Sequence, residues 1–399
     1  VPKRRFPGFT DAWELRKLKE LADFSKGLGY TKNDLTESGN PIILYGRLYT
    51  KYQTVIDNVD TFVDVKDKSV VSIGGEVIVP SSGESSEDIA RASVVDNAGV
   101  ILGGDLNVIK PKDEIDSAFL ALTISNGQQQ KELSKRAQGK SVVHLHNSDL
   151  KEVNLIFPSI DEQKQIGELF KGIENTITLH QRKLDMLKEQ KKTYLKLLFP
   201  AKGQTKPVLR FQGFEDDWEK VKLGEIGETF TGLSGKTKED FGHGEGKFIT
   251  YVNVFNNPIS DLLGTDRIEV DESQTNVQFG DIFFTTSSET PEEVGMSSVW
   301  LGNGNNIYLN SFCFGFRPTL KLSNHFMAYV LRSTEIRKKF IFLAQGISRY
   351  NISKTKVMNI SIPLPTLPEQ ESIGTFFQTL DQEIAQVEDK LASLKKKKK

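Results

Sequence analysis

The first candidate for chemistry in this sequence is a glycine-rich stretch at residues 232–237, which reads Gly-Leu-Ser-Gly-Lys-Thr. It is similar to the end of a phosphate-binding loop, in which glycines let backbone N–H groups approach phosphates while a lysine neutralises them. Such a loop needs a further glycine at position 230, where this chain has Phe230. The sequence therefore disfavours a nucleotide site here.

Two histidines that alternate on a strand-like stretch form the second candidate. His144 and His146 could hold a metal ion if other ligands lay close to them. No matching carboxylate or cysteine pattern stands nearby, and the second half of the chain has no counterpart of either histidine. We therefore favour structural or polar roles and expect no metal site.

A third candidate is the run Glu162, Gln163 and Lys164, which could pass for the end of a nuclease motif. The motif returns at residues 369–371 without the lysine, which favours a role in the first turn of a helix, where glutamate suits the helix dipole. The chain also lacks the Asn/Asp-Pro-Pro-Tyr/Phe tetrapeptide of amino-methyltransferases. Without a catalytic constellation, the sequence favours a recognition subunit of a larger machine.

The composition is that of a globular protein with balanced charge. The 399 residues include 52 lysines and arginines against 53 aspartates and glutamates, so any DNA-binding surface must come from charge segregated along the chain. Cys313 alone forms neither a disulfide nor a thiolate metal site, and we expect it buried in a protein of the reducing cytoplasm. We expect no membrane-spanning helix and no secretory signal.

The sequence is a tandem repeat. The pattern Arg-Phe-x-Gly-Phe-x-x-x-Trp begins at Arg5 and again at Arg210. Further along, Ala-Gln-Gly at residues 137–139 returns at 344–346 in the same order. The chain therefore consists of two similar halves, roughly 1–205 and 206–399, and the join is rich in proline, glycine and polar residues, as linkers are.

Each half begins with β-rich runs and loops, followed by a helical stretch over residues 117–138 or 324–345. This order indicates a compact α/β domain with a mixed sheet. A long helix then opens after Pro158 and after Pro365, with apolar residues at alternating spacings of three and four. That heptad pattern is typical of helix–helix pairing, although an ordinary amphipathic helix packed on its own domain is the alternative. The seam positions are Ile166, Phe170, Ile173, Ile177, Leu184, Leu187, Ile373, Phe377, Leu380, Ile384, Val387 and Leu391.

Antiparallel pairing of the two seams would place the α/β domains at opposite ends of a rod, related by a pseudo-twofold axis. One such helix over residues 163–198 would span about 54 Å at 1.5 Å per residue. Two related domains at a fixed separation form a caliper, and duplex DNA presents same-face half-sites about every 34–36 Å. The same shape would also suit a non-catalytic scaffold that joins two partner proteins without a DNA role.

Basic residues cluster on the late helix of each half, and this segregation favours DNA. Each helix leads into a repeated Ala-Gln-Gly-x-Ser loop, and the second cluster also contains Arg332 and Arg337. A second candidate surface includes Arg47 and Asn253, whose side chains suit guanine and adenine edges. The candidate DNA-contacting residues are Tyr45, Arg47, Lys135, Arg136, Lys140, Ser141, Tyr251, Asn253, Lys338, Lys339, Arg349 and Tyr350.

Several motifs of the chain resemble the specificity subunits of type I restriction–modification systems. One motif is residues 280–295, which read Gly-Asp-Ile-Phe-Phe-Thr-Thr-Ser-Ser-Glu-Thr-Pro-Glu-Glu-Val-Gly. The others are the Arg-Phe-x-Gly-Phe-x-x-x-Trp motif and the segment 362–373, which contains Pro-Leu-Pro followed by Glu-Gln. These motifs occur in order over nearly the whole chain, and a long helix follows each Glu-Gln.

The resemblance implies an α/β (α+β) fold with two pseudo-twofold-related target recognition domains, separated by two long antiparallel helices that form a coiled coil. Each domain would read one half of a bipartite, asymmetric DNA target, and the helices would set the gap. The implied parts are a first target recognition domain at 1–158, a first conserved helical spacer at 159–199, a linker at 200–209, a second target recognition domain at 210–365 and a second conserved helical spacer at 366–399.

The resemblance also implies partners that carry the chemistry. Two methyltransferase (modification) subunits would dock on the helices, hold S-adenosylmethionine and methylate adenine, and two restriction subunits would use ATP with Mg. This chain would bind double-stranded DNA, no membrane and no cofactor of its own. The second copy has no counterpart of residues 193–200, and its lysines at 395–399 are expected to form a solvated tail.

Overall fold

The computed structural model describes residues 5–139 and 142–398, and the chain forms two compact units. Unit 1 contains the chain up to Leu179 and again from Ser393, and unit 2 contains His180–Ala392. The predicted contacts Lys140 and Ser141 lie outside the described residues. Within the described ranges, no helix has both the length and the apolar character that crossing a membrane requires.

Unit 1 mixes strands and helices. Its strands are β1 (Glu14–Lys17), β2 (Ala22–Lys26), β3 (Leu35–Thr36), β4 (Asn40–Ile43), β5 (Val55–Ile56), β6 (Phe62–Val63), β7 (Val71–Ile73), β8 (Glu76–Pro80), β9 (Ser82–Gly83), β10 (Ser93–Val95), β11 (Ala98–Leu102), β12 (Leu106–Pro111), β13 (Val143–His144) and β14 (Asn154–Phe157). Its helices are α1 (Leu18–Leu21), α2 (Arg47–Thr50), α3 (Ser117–Ser125), α4 (Gly127–Arg136), α5 (Asn147–Lys151) and α6 (Ile160–Leu197), whose later part belongs to unit 2.

Two five-stranded sheets organise unit 1, in the orders β2-β12-β8-β10-β5 and β3-β6-β4-β11-β7. Every residue of β8 is buried, including Glu76, whose carboxylate accepts hydrogen bonds from the N–H groups of Ile73 and Gly74. The apolar run Val77–Val79 is typical of a strand covered on both faces. Helix α3 packs on this strand and buries Phe119 and Leu120. Its N-terminus is capped by Asp116, whose side chain accepts a hydrogen bond from the N–H of Phe119.

Unit 2 has the same mixture of elements. Its strands are β15 (Glu219–Lys222), β16 (Gly227–Thr231), β17 (Phe241–Ile249), β18 (Thr265–Ile268), β19 (Ile282–Thr285), β20 (Ser287–Ser288), β21 (Ser297–Val299), β22 (Ile307–Leu309), β23 (Cys313–Pro318), β24 (Tyr350–Asn351) and β25 (Ser361–Leu364). Its helices are α7 (Tyr251–Asn256), α8 (Asn324–Val330), α9 (Thr334–Leu343), α10 (Lys354–Met358) and α11 (Leu367–Lys398), whose end belongs to unit 1.

The strand pairing repeats between the units. The order β16-β23-β19-β21 in unit 2 corresponds to β2-β12-β8-β10 in unit 1. The parallel pair β17 and β22 corresponds to β4 and β11, and the antiparallel pair β15 and β25 corresponds to β1 and β14. The tandem repeat predicted from sequence is therefore a repeat of mixed α/β topology.

The prediction of one helical stretch over residues 117–138 is wrong in one respect, because this segment forms two helices, α3 and α4. Asn126 has an extended backbone (φ −142°, ψ 161°), and Gly127 follows with φ +71°, a conformation that glycine adopts without steric cost. In unit 2 the corresponding stretch breaks between α8 and α9, where Ser333 is also extended.

The Glu-Gln motif fastens the first turn of each long helix to its own unit. In unit 1, Glu162 accepts hydrogen bonds from Arg5 at 2.9 and 2.6 Å. In unit 2, Glu369 accepts hydrogen bonds from Arg210 at 2.7 and 2.8 Å, and both glutamates are only 1% exposed. The predicted first-turn role is confirmed, and the partner of each glutamate is the mostly buried arginine that opens each repeat.

The two long helices pair in antiparallel within unit 2. Lys188 lies 2.7 Å from Glu388, Lys191 lies 2.5 Å from Asp381, and the Tyr194 ring packs 4.9 Å from the Phe376 ring, so the residue number on α11 falls as that on α6 rises. The seam residues that unit 2 buries are Leu184, Leu187, Ile373, Phe377, Leu380, Ile384, Val387 and Leu391. Those that lie in unit 1, only half-buried, are Ile166, Phe170, Ile173 and Ile177.

The lysines predicted to form a solvated tail continue helix α11, and Lys395, Lys396 and Lys397 are exposed as expected, whereas Lys398 is half-buried. Helix α11 continues to Lys398, whose ammonium group lies 2.6 Å from the carboxylate of Glu174 and 5.2 Å from the centre of the Tyr52 ring. Both partners belong to unit 1, as does the end of α11. The ion pair explains why this lysine is half-buried.

Candidate nucleic-acid interface

The Ala-Gln-Gly loop of unit 2 joins α9 to β24 as a tight hairpin. Gln345 and Asn351 exchange backbone N–H to carbonyl hydrogen bonds at 2.9 and 2.8 Å, and β24 pairs with β20 behind them. Gly346 has φ +148°, and a Cβ there would lie 2.0 Å from the carbonyl oxygen of Arg349. Glycine is therefore required to close this hairpin.

Unit 1 builds the same hairpin between α4 and β13. Gln138 and His144 exchange backbone hydrogen bonds at 3.1 and 2.8 Å, and β13 pairs with β9. A Cβ on Gly139, at φ +138°, would lie 1.9 Å from the carbonyl oxygen of Val142. The described residues that close the two loops thus have the same pair of backbone hydrogen bonds and the same close glycine approach, in keeping with the repeated Ala-Gln-Gly sequence.

The hairpin tips are exposed and differ in sequence. In unit 2 the side chain of Ile347 is 95% exposed and is followed by the exposed Ser348 and Arg349. In unit 1, Val142 is 49% exposed, an unusual setting for an aliphatic side chain so close to a strand. An isoleucine without protein neighbours is available to a partner, such as a thymine methyl group or a base step in DNA.

In each unit a tyrosine hydroxyl donates a hydrogen bond to the strand that pairs with the hairpin. In unit 2, Tyr251 donates a hydrogen bond to the carbonyl of Ser287 on β20 at 2.7 Å. In unit 1, Tyr49 donates to the carbonyl of Ser82 on β9 at 3.0 Å. The predicted contact Tyr45, 38% exposed, packs edge-on against Tyr49 with ring centres 6.4 Å apart. The sequence analysis predicted two separate candidate surfaces, one at the Ala-Gln-Gly loop and one that contains Tyr45 or Tyr251. In each unit these two surfaces lie next to each other.

In unit 1 these groups line one cleft, which also contains Lys32, Arg91 and Val142. The guanidinium group of Arg91 lies 6.0 Å from the centre of the Tyr49 ring and bonds Asp88 at 2.7 Å. Cations and aromatic rings side by side suit phosphates and bases respectively. The sequence analysis missed Lys32, Tyr49 and Arg91, although the tyrosines at 45, 49 and 52 recur with helical spacing.

The cations predicted on the late helices differ in their exposure and in their hydrogen-bond partners. Lys135 is exposed, whereas Arg136 is half-buried and bonds Glu132 at 2.9 Å. In unit 2, Lys338 has a side chain 64% exposed and Arg349 is exposed on the hairpin. Lys339 donates to the carbonyl of Ser361 at 2.5 Å, and burial lowers its pKa. Tyr350, on β24, is half-buried.

Two predicted base-reading side chains are committed inside the protein, which contradicts their assignment. Arg47 bonds Asp60 at 2.8 Å and Gln53 at 2.9 Å, and its side chain is only 8% exposed. Asn253 is 4% exposed and donates to the carbonyls of Asp261 and Gly264 at 2.8 Å each. Both side chains hold loops together, and their hydrogen-bonding groups point away from solvent.

Arg332 and Arg337 likewise do not belong to a free basic surface. Arg332 donates to the carbonyl of Ser297 at 2.7 Å and to that of Val254 at 3.0 Å. Arg337 donates to the carbonyl of Gly295 at 2.7 Å. Burial lowers the pKa of Arg332 to about 9 and that of Arg337 to about 10, so both stay charged at neutral pH. These arginines tie α9 to the loops beneath it and leave phosphate contact to other cations.

The remaining candidates for chemistry are structural. Cys313 is buried, and burial raises its thiol pKa to about 12, as expected for a small apolar residue. Lys236, from the phosphate-loop-like stretch, pairs with Asp271 at 2.7 Å and is mostly buried. His144 and His146 stack with ring centres 6.3 Å apart, and no group of three or more metal-ligating side chains occurs in the described part of the chain.

Comparisons with known proteins agree with the repeat. The family model of the type I restriction modification DNA specificity domain matches residues 10–189 and again residues 215–396. The putative type I restriction enzyme MjaX specificity subunit of Methanocaldococcus jannaschii is 23% identical, over 92% of this chain and 87% of that protein. The MjaVIII specificity subunit of the same organism is 22% identical, over 80% and 75% of the two chains.

Solved structures show the same fold at low identity. The crystal structure of a type I restriction-modification S subunit from M. genitalium superposes with a TM-score of 0.61 at 16% identity, covering 99% of this chain and 96% of that one. The HsdS subunit from Thermoanaerobacter tengcongensis gives a TM-score of 0.50 at 18% identity, covering 100% and 96%. Both likenesses extend over both repeats.

Proposed function

This chain belongs to the family of type I restriction modification DNA specificity domains, and we propose that each of its two repeats binds one half of a two-part duplex DNA target. Membership makes it a DNA-recognition subunit and does not favour the alternative of a protein scaffold without DNA. The half-site assignment is the finer step, and it is supported by the geometry of the two hairpins.

The single observation that carries this proposal is the shared hairpin with different tips. Both units close the loop with the same glycine approach and the same pair of backbone bonds, and the sequence repeat aligns the exposed Arg349 of unit 2 with the exposed Val142 of unit 1. The described residues that close the two loops are therefore alike, while the side chains at this equivalent position differ. This is what two reading surfaces for two different sequences require.

Phosphate contacts would come from the free cations beside each hairpin. Lys135 is exposed near the end of α4 in unit 1, and Lys338, which also pairs with Glu335 at 2.6 Å, is exposed in the middle of α9 in unit 2. Each phosphate that such a cation neutralises adds about 0.9 to the slope of log affinity against log salt. The hairpin tip and Tyr45 or Tyr251 would then face base edges.

The long helices would set the gap between half-sites and dock other subunits. Ion pairs between α6 and α11 within unit 2, such as Lys183 with Glu383, support this role. Two modification subunits would bind there, bring S-adenosylmethionine and methylate adenine, and two restriction subunits would add ATP and Mg. The complex would act on DNA in the cytoplasm. Insertion of matched turns into α6 and α11 should change the permitted gap and leave the half-sites unchanged.

Methylation mapping tests the half-site assignment. Genomic DNA is sequenced for modified adenine in cells that contain this chain and its modification subunit, and again with Ile347→Ala plus Arg349→Ala. We expect relaxed or lost recognition in one half-site and an intact second half-site. Lys222→Ala, an exposed cation on β15 away from the hairpin, is the matched control. Equal changes in both half-sites would refute the assignment.

A further inference from the structure

One arginine in the cleft of unit 1 is held in place by its neighbours. Arg91 donates a hydrogen bond to Asp88 at 2.7 Å, and its guanidinium group lies 6.0 Å from the centre of the Tyr49 ring and 5.8 Å from that of Tyr52. Asp88 in turn accepts a hydrogen bond from the hydroxyl of Ser85 at 2.8 Å. Because its position is already fixed, this arginine would lose little conformational freedom on binding a ligand.

Arg91 also keeps donors for a ligand. Its bond to Asp88 comes from Nη2, and its Nε and Nη1 groups donate to no protein atom in the described ranges. The side chain is 34% exposed and lines a cleft of about 540 Å³, together with the exposed Val142 beside the hairpin. The planar guanidinium fork can therefore make two parallel hydrogen bonds to a ligand in this cleft.

The acidic side chains of the cleft favour a base edge over a phosphate. Asp88, with a side chain 51% exposed, and the exposed Glu84 both line the cleft, so a phosphate beside Arg91 would meet negative charge. A G·C pair has the complementary pattern in the major groove. Guanine O6 and N7 accept from an arginine fork, and cytosine N4 donates to a carboxylate.

The second repeat has a different residue at this position. Val94 on β10 and Val299 on β21 occupy the same place in their strand pairs and are 205 residues apart. At that offset Arg91 aligns with Met296, whose thioether cannot donate a hydrogen bond. The fold therefore accepts either residue here, and the difference concerns what each unit can bind.

We propose that Arg91, positioned by Asp88, recognises a guanine in the half-site bound by unit 1, through hydrogen bonds to O6 and N7 in the major groove. The inference rests on the proposed function, because it names a base that one of the two recognition surfaces contacts. Met296 makes no such contact in unit 2, so the two repeats differ in the bases that they select.

Guanine analogues test the contact in the complex of the full chain with its modification subunits. Once methylation mapping has given the target, each guanine is replaced in turn by 7-deazaguanine, which lacks the N7 acceptor, or by inosine, which keeps O6 and N7. We expect 7-deazaguanine at one position to weaken binding about tenfold, because one bond from a charged donor is lost. Inosine at the same position should leave binding nearly unchanged.

The variant Arg91→Met assigns this effect to one side chain. It introduces the residue of unit 2 and keeps a long side chain over the tyrosine rings, and we expect it to bind the natural and the 7-deazaguanine duplex equally. Arg16→Met is the matched control, because Arg16 has a side chain 33% exposed and also pairs with a carboxylate, Glu114, but lies on β1 outside the cleft. It should discriminate between the two duplexes as the unchanged chain does.

Three results would overturn the proposal while sequence-specific binding, and with it the half-site assignment, persists. They are a target in which no guanine responds to 7-deazaguanine, continued discrimination by Arg91→Met, and a responding guanine in the half-site that Ile347→Ala plus Arg349→Ala alters. A uniform loss of affinity for all sequences in Arg91→Met, with a salt slope reduced by about 1, would show a phosphate contact instead and also overturn it. Absence of sequence-specific binding by the unchanged complex would refute the half-site assignment as well.

Discussion

The ion pair between Arg210 and Glu369 should be a main determinant of the stability of unit 2. We consider Arg210→Met, which keeps the length and much of the volume of the side chain but removes its charge. The glutamate, 1% exposed at the first turn of α11, would then be left without its two hydrogen bonds of 2.7 and 2.8 Å. An ionised glutamate side chain without hydrogen-bond partners costs free energy when it is held away from water.

The magnitude follows from the burial of the pair. Removal of one partner of a buried ion pair costs about 3–5 kcal/mol, and because the Arg210 side chain keeps 14% exposure we expect about 3 kcal/mol. For a unit of this size, each kcal/mol lowers Tm by about 2–4 °C, so the loss is about 6–12 °C. The double variant Arg210→Met with Glu369→Met should recover most of this, since it leaves no unpaired charge.

Differential scanning calorimetry and urea titration of the full chain measure the effect. Lys206→Met is the control, because its ammonium group pairs with Asp217 at 3.1 Å while both side chains are about half-exposed or more. A pair in that setting contributes about 0–1 kcal/mol. If Arg210→Met and Lys206→Met destabilise unit 2 equally, or if the double variant is no better than the single one, the anchoring role is refuted.

Three further outcomes follow from the hairpins and the core. Lys135→Ala should lower DNA affinity and reduce the salt-dependence slope by about 1, and an unchanged slope would exclude a phosphate contact. Gly346→Ala should weaken DNA binding without unfolding the unit, because its Cβ would lie 2.0 Å from a carbonyl oxygen; Gly172→Ala, in open helix surface, is the control and should leave binding intact. Cys313 should resist iodoacetamide at pH 8 until urea unfolds the chain, because its thiol pKa is about 12; rapid native labelling, followed by mass spectrometry, would contradict its burial.

Patterns with a period could be predicted from the sequence. The alternating spacing of three and four predicted the seam that buries Leu184 and Ile384 in unit 2, and the collinear motifs predicted the repeated α/β topology. The Ala-Gln-Gly loop could also be recognised from the sequence, because a glycine recurs at the position where two parts of the loop backbone come close together. Such features depend on local conformation or on regular burial, which residue order expresses directly.

The roles of individual polar side chains could not be predicted, because they depend on distant partners. Asn253 and Arg332 have residue types that suit bases and phosphates, yet both bond carbonyl groups brought near by the fold. Arg332 reaches the carbonyl of Val254, far away along the chain. Conversely, Arg91 gains its place beside Tyr49 only through the packing of unit 1. Charge and residue type alone do not distinguish these settings.

The ion pairs Lys191 with Asp381 and Lys398 with Glu174 are equivalent by the sequence repeat, since each residue of one pair is about 207 positions from its counterpart in the other. Helix α6 therefore supplies the lysine of one pair and the acid of the other, and α11 does the reverse. A single contact, written once in the repeated sequence, is used twice along the two helices.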